Sequence, residues 1–274
     1  MALLTTYFDA AGHPDGKHAL IVGGYVASVQ AWLRFERAWN ARLKRSGIDV
    51  FHMADFMACK DGFENWKGRE KEQDALLKKL AGVISDHARH SFSTMILLDD
   101  WAEINRLYAL DENHCTPYSI AGFYSIDKAM RWLNRRDGDT AFTKFIFEDG
   151  DKHKGDFIWM VDQIVKWNKR LLAPMKPHFM PKKLAPLQAA DFVLWEQFNA
   201  SKTRLLTGAP IVWRPTLRQL SSVKHTWGML NADRLIQFCE EYCVPKRGSG
   251  LTWTGPARVA LERKARGEGR RKNV

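Results

Sequence analysis

Asp9, Glu148, Asp149 and Asp191 are carboxylates set where their neighbours favour burial. Asp9 closes the run LLTTYFD, a β-branched and aromatic pattern that predicts a half-buried strand, and Ala10, Ala11 and Gly12 behind it leave room for a close approach to the backbone. Glu148, Asp149 and Asp151 close a second such run, AFTKFIFEDGD. Asp191 stands between Ala190 and Phe192 in the apolar stretch LQAADFVLWE, where a charge is expensive to bury unless it is paired or bound to metal. Taken singly, Asp9 can start a turn, and Asp191 can bond a helix N-terminus or an arginine. Taken together, carboxylates repel and raise one another's pKa, whereas a divalent cation reverses the local field and keeps them ionised. All-oxygen ligation suits Mg2+ or Mn2+, and two such ions can activate a water and stabilise the leaving oxygen in phosphodiester cleavage. Asp9, Glu148, Asp149 and Asp191 are thus the candidate metal ligands and catalytic residues.

Other side chains are candidates for substrate. His52 and Asp55 in VFHMADF lie three apart, on one side of a helical turn, so that His52 either positions a phosphate or bonds a loop carbonyl. Lys152, His153 and Lys154 in EDGDKHKGDF are placed to meet a phosphate. The DGD triplet there lacks the twelve-residue spacing and terminal glutamate of a calcium loop, and IVGGYV lacks the glycine spacing of a dinucleotide fingerprint. No cysteine pair has metal-ribbon or redox spacing; Cys239 and Cys243, one helical turn apart in FCEEYC, read as small apolar residues on a buried face.

These residues need elements to position them. LLTTYFDAAG and HALIVGGYVAS, separated by the turn signals of GHPDG, predict an antiparallel hairpin. Trp32, Phe35, Trp39 and Leu43 recur at helical steps up to Gly47, and IDVFHM reads as a short strand. A helix over REKEQDALLKKLAGVISDHARH, a strand over SFSTMILL and a helix opened by Thr116 and Pro117 follow. After AFTKFIFEDGD come a helix over GDFIWMVDQIVKWNKRLL, a proline-punctuated connection PHFMPKKLAPLQ, and the helix LQAADFVLWEQFNA. Alternating strands and helices after a hairpin predict an α/β class with a mixed sheet covered by helices.

The 274 residues, 45% hydrophobic with 11 Trp and 15 Phe, can bury a sizeable core. Residues 1–245 read as one α/β domain with helical insertions, and 246–274 as a basic, partly disordered tail. In RKARGEGRRKNV the cations Arg263, Lys264, Arg266, Arg270, Arg271 and Lys272 face only Glu262 and Glu268. With a formal net charge of +11, this makes nucleic acid, DNA or RNA, the expected partner. The absence of an apolar run of membrane-spanning length and of a leader-like N-terminus places the expected protein in a reducing cytoplasm, away from membranes.

YFDAAG, FIFEDGD and PLQAADFVLWE, in that order over roughly Leu3 to Asn199, resemble the three landmarks of the bacterial domain-of-unknown-function 3800 family. The resemblance implies an RNase H-like mixed β-sheet flanked by α-helices, with acidic sites at Asp9, at Glu148 or Asp149, and at Asp191, accompanied by Gln188. It is broken at one place: the Glu and Ser that usually follow the first Asp are Ala10 and Ala11 here, leaving Asp151 as the neighbouring acid to substitute. The functional expectation is a divalent-metal-dependent nuclease. The alternatives are a catalytically inactive RNase H-like nucleic-acid-binding module and a hydrolase of a small phosphorylated molecule.

Overall fold

In the computed structural model, residues 3–12, 18–137, 143–167, 176–251 and 253 are described. Among them, six strands form one mixed sheet: β1 (Leu4–Ala11), β2 (Ala19–Ser28), β3 (His90–Leu97), β4 (Thr143–Glu148), β5 (Pro177–Met180) and β6 (His225–Leu230). Their order is β5-β4-β1-β2-β3-β6. Strands β1, β2 and β3 form an antiparallel meander; β4 runs parallel to β1, β5 to β4 and β6 to β3. The helices are α1 (Val29–Arg45), α2 (Met53–Ala58), α3 (Glu70–His87), α4 (Leu98–Tyr108), α5 (Pro117–Asp137), α6 (Lys154–Trp167), α7 (Ala185–Thr207), α8 (Pro215–Leu220) and α9 (Ala232–Glu241).

Alternation along β1 sends Leu4 and Phe8 into one core and Tyr7 into the other, so the central sheet is covered on both faces. The first core gathers Phe92, Phe145 and Phe147 of the sheet with Phe123 of α5 and Phe157 of α6. The second packs Trp32, Phe35 and Trp39 of α1 and Phe192 of α7 against Ile21 and Tyr25. The α/β class and the helix-flanked mixed sheet expected of an RNase H-like domain are both present.

Local chemistry sets the element ends. Ser28 caps α1 by accepting from the Ala31 N–H at 3.2 Å, and Gly47, at φ +69°, follows its last turn. Thr116 accepts from Ser119 N–H at 3.2 Å ahead of Pro117, and α7 has a proline in its first turn and Gly208 at φ +67° after its last. Gly12, at φ +88°, has no space for a side chain, since a Cβ would sit 2.5 Å from the Ala19 carbonyl oxygen, and with Ala10 it borders open space beside Asp9.

Four expectations are corrected. IDVFHM is not a strand, because two of its backbone donors are taken by side chains of α7 rather than by a neighbouring strand. PHFM, within the expected connection, is the edge strand β5. Cys243 lies beyond α9 at φ +54°, so it does not share a helix face with the buried Cys239. The folded unit continues past residue 245: Arg247 pairs with Asp111 and Glu112, and the Trp253 indole is buried, donating to the Tyr242 carbonyl oxygen at 3.0 Å. The remainder of the basic tail, from residue 254 onward, lies outside the described residues.

Candidate functional site

Parallel pairing of β1 with β4 puts Phe8 opposite Phe147, so the next residue of each strand, Asp9 and Glu148, emerges at the same edge of the sheet. Strand β5 adds a third parallel chain with Met180 opposite Glu148, and two residues later the chain delivers Lys182. Helix α7 packs on β1 and β2 and brings Asp191 to the same point. Its Ala189 and Ala190, both fully buried, keep its approach to its neighbours close.

The Lys182 ammonium stands among the three acids: Nζ lies 3.1 Å from Glu148 Oε2, 3.6 Å from Asp9 Oδ2 and 3.7 Å from Asp191 Oδ1. Asp9 is 6% and Asp191 5% exposed. Asp9 Oδ1 accepts from Ala10 N–H at 2.7 Å, whereas Oδ2 has no hydrogen-bond partner among the described residues. Asp191 Oδ2 accepts from Met53 N–H at 2.7 Å, at the start of α2. Burial raises the Asp9 carboxyl well above its ordinary 3.8, Lys182 opposes this, and the neighbouring Glu148 and Asp191 raise it further. Burial likewise raises Asp191, against Lys182, His52 and the Met53 N–H. Burial alone would lower the Lys182 ammonium, but Asp9, Asp191 and Glu148 together hold it above 10.5.

Beside this cluster opens a cavity of about 400 Å3, walled by Asp9, Glu148, Asp151, Lys152 and Tyr118 among others. Asp151, the acid considered as a substitute for the one missing after Asp9, therefore shares its wall with two of the three. The Tyr118 phenol is pushed well above its ordinary 10.0 by burial and then by Asp151, Asp9 and Glu148, so it stays protonated.

The other sequence candidates divide. His52 precedes α2, with Nδ1 bonded to the Asp55 carboxylate and Nε2 3.8 Å from Asp191 Oδ1, so it faces the acids. Gln188, expected near substrate, is instead buried and fully committed. Its Oε1 accepts from Trp39 Nε1 at 2.9 Å and Phe51 N–H at 3.1 Å, and its Nε2 donates to the Lys183 and Lys182 carbonyl oxygens at 3.2 and 3.4 Å. It thereby ties α7 to the segments that carry His52 and Lys182. Asp149, expected as a ligand, turns outward to Lys154 at 2.8 Å, which occupies both candidates with each other. His153 Nδ1 bonds Asp156 at 3.0 Å, and Asp156 also holds His114 at 2.6 Å, so His153 belongs to a neighbouring network.

Lys182 was not legible as a site residue: a lysine after Pro181 reads as a solvated loop charge, and only the unexplained Asp191 hinted at a missing cation. The carboxylates surround its ammonium, and among the described residues no group of three or more His, Cys, Asp or Glu side chains is arranged to hold a metal ion. Asp9 Oδ2, which faces Lys182 but accepts no hydrogen bond among the described residues, and the all-oxygen donor set still fit a hard divalent cation, provided that Lys182 withdraws.

No family model matches the chain, and no curated protein matches it. Among solved structures it is similar to the crystal structure of Bst-RNase HIII in complex with Mn2+, at 11% identity and a TM-score of 0.41, with 97% of this chain and 71% of that chain covered. Among the described residues, no helix is long and apolar enough to cross a membrane.

Proposed function

We propose that the protein is a divalent-metal-dependent phosphodiesterase acting on nucleic acid. The observation that supports this most is the meeting of Asp9, Glu148 and Asp191, from three distant segments, around one cation position beside an open polar cavity. Asp9, Glu148 and Asp191 would hold Mg2+ or Mn2+, with Asp151 on the adjoining wall. When bound, the ion supplies positive charge for the phosphoryl oxygens and a lowered pKa for attacking water. His52, braced by Asp55, faces the acids and is placed to hold a proton at Nε2. Lys152 and the neutral Tyr118 line the cavity where a phosphate and its sugar would rest, and the net positive chain favours the polyanion. Lys182 offsets part of the charge of the acids when the cation is absent.

A second reading rests on Lys182 itself: an ammonium permanently in the cation position makes this a binding module that cannot cleave. A cleavage assay on single-stranded DNA, RNA and hybrid duplexes with Mg2+ or Mn2+ separates the two. The enzyme reading expects metal-dependent cleavage that Asp191→Asn abolishes with nucleic-acid affinity retained, since affinity comes from Lys and Arg contacts to phosphate. Binding without cleavage of any substrate by the wild type would establish the module instead.

A further inference from the structure

A second cavity, of about 300 Å3, shares no residue with the acidic one. It lies between β2, β3 and β6 on one side and α7 and α8 on the other. Its walls hold no Asp, Glu, Lys or Arg. Tyr25 and Ser91, 1% and 2% exposed, both line it, and neither the Tyr25 hydroxyl nor Ser91 Oγ has a hydrogen-bond partner among the described residues. One end of the Gln197 amide is likewise buried and unpaired, while its other end meets His225 Nδ1 at 3.1 Å. Ile211, Trp213, Leu217 and Trp227 also line the cavity.

Unsatisfied buried hydroxyls and amides are rare in folded proteins, and three on residues of one cavity call for a common partner. A space of this size would take about ten waters, but the apolar wall offers most of them nothing to bond. A molecule with an apolar ring and one hydrogen-bonding edge satisfies both walls. Trp213 and Trp227 supply aromatic faces for stacking. The absence of charge selects against ions, which would be desolvated without compensation. We propose that this cavity is a binding site for a neutral aromatic small molecule carrying an amide-like edge, which pairs with Tyr25, Ser91 and Gln197 while its ring rests against Trp213 and Trp227.

Benzamide is a suitable probe, with toluene, which lacks the polar edge, and benzoate, which carries a charge, as controls. Titration into the full chain, followed by tryptophan fluorescence and by melting temperature, should show saturable benzamide binding that raises the melting temperature. Toluene should bind at least fivefold more weakly, and benzoate should not bind at matching concentration. Tyr25→Phe and Ser91→Ala each remove a hydroxyl that no described residue partners. They should leave the unliganded melting temperature unchanged or higher while weakening benzamide at least fivefold. The proposal is overturned if benzamide does not saturate, if it binds both variants as tightly as wild type, or if benzoate binds equally well.

Discussion

Lys182 sets the electrostatics of the acidic residues, because its ammonium stands where Asp9, Glu148 and Asp191 meet. Three carboxylates around a single ammonium leave an excess of negative charge, and Asp9 Oδ2 remains without a hydrogen bond among the described residues. Lys182→Met should therefore lower stability in metal-free buffer by about 3 kcal/mol, the range for breaking a buried pair from one side. Mn2+ should restore more of the melting temperature in this variant than in wild type, since the competitor is gone and binding to the folded state stabilises it. A melting curve with chelator and with Mn2+ checks this, and an equal metal response in both proteins would assign Lys182 a fixed structural role. At this scale the sequence showed the oddity of Asp191 but not its partner. Gln188 and Asp149 were visible as polar groups near the motifs. That one is sealed into a four-bond clamp and the other turned to Lys154 depends on how segments far apart in the chain meet.

Among the elements, β1, β2, β3 and β4 and the helices α1, α3, α5, α6 and α7 were legible because each carries a long apolar period or a cap. Strands β5 and β6 were not. PHFM is four residues opened by proline at the sheet edge, and HTWGML carries Trp227 and Met229 on its exposed side with a glycine between them, so neither has the long apolar pattern of a core strand. The β3–β6 pairing nevertheless contains a titratable link. His90 is buried, with Nε2 2.8 Å from Thr226 Oγ1, and burial, followed by Lys224, pushes its ring from 6.5 down to about 4. The unfolded chain thus takes up a proton below about pH 6.5 that the folded chain refuses until near 4. Stability from this group is fully present above 6.5 and is lost as the pH falls toward 4. Melting temperatures across this range should fall less steeply for His90→Asn than for wild type, and parallel slopes would remove His90 from the account.

For the molecule as a whole, the sheet order turns sequence distance into proximity: parallel β1, β4 and β5 deliver Asp9, Glu148 and Lys182 to one edge, and α7 closes it with Asp191. The charge of the chain should govern its partner. If the tail binds phosphate, a variant ending at Trp253 should bind nucleic acid with a slope of affinity against salt reduced by about 0.7–0.9 for each phosphate that the tail neutralises. An unchanged slope would leave binding to the folded domain alone. The most direct test of the central claim is calorimetric titration of the full, metal-free protein with Mn2+. Saturable binding in wild type that is abolished in both Asp9→Asn and Asp191→Asn is the predicted result. No binding in wild type, or binding that persists unchanged in both variants, would contradict a cation site formed by these acids.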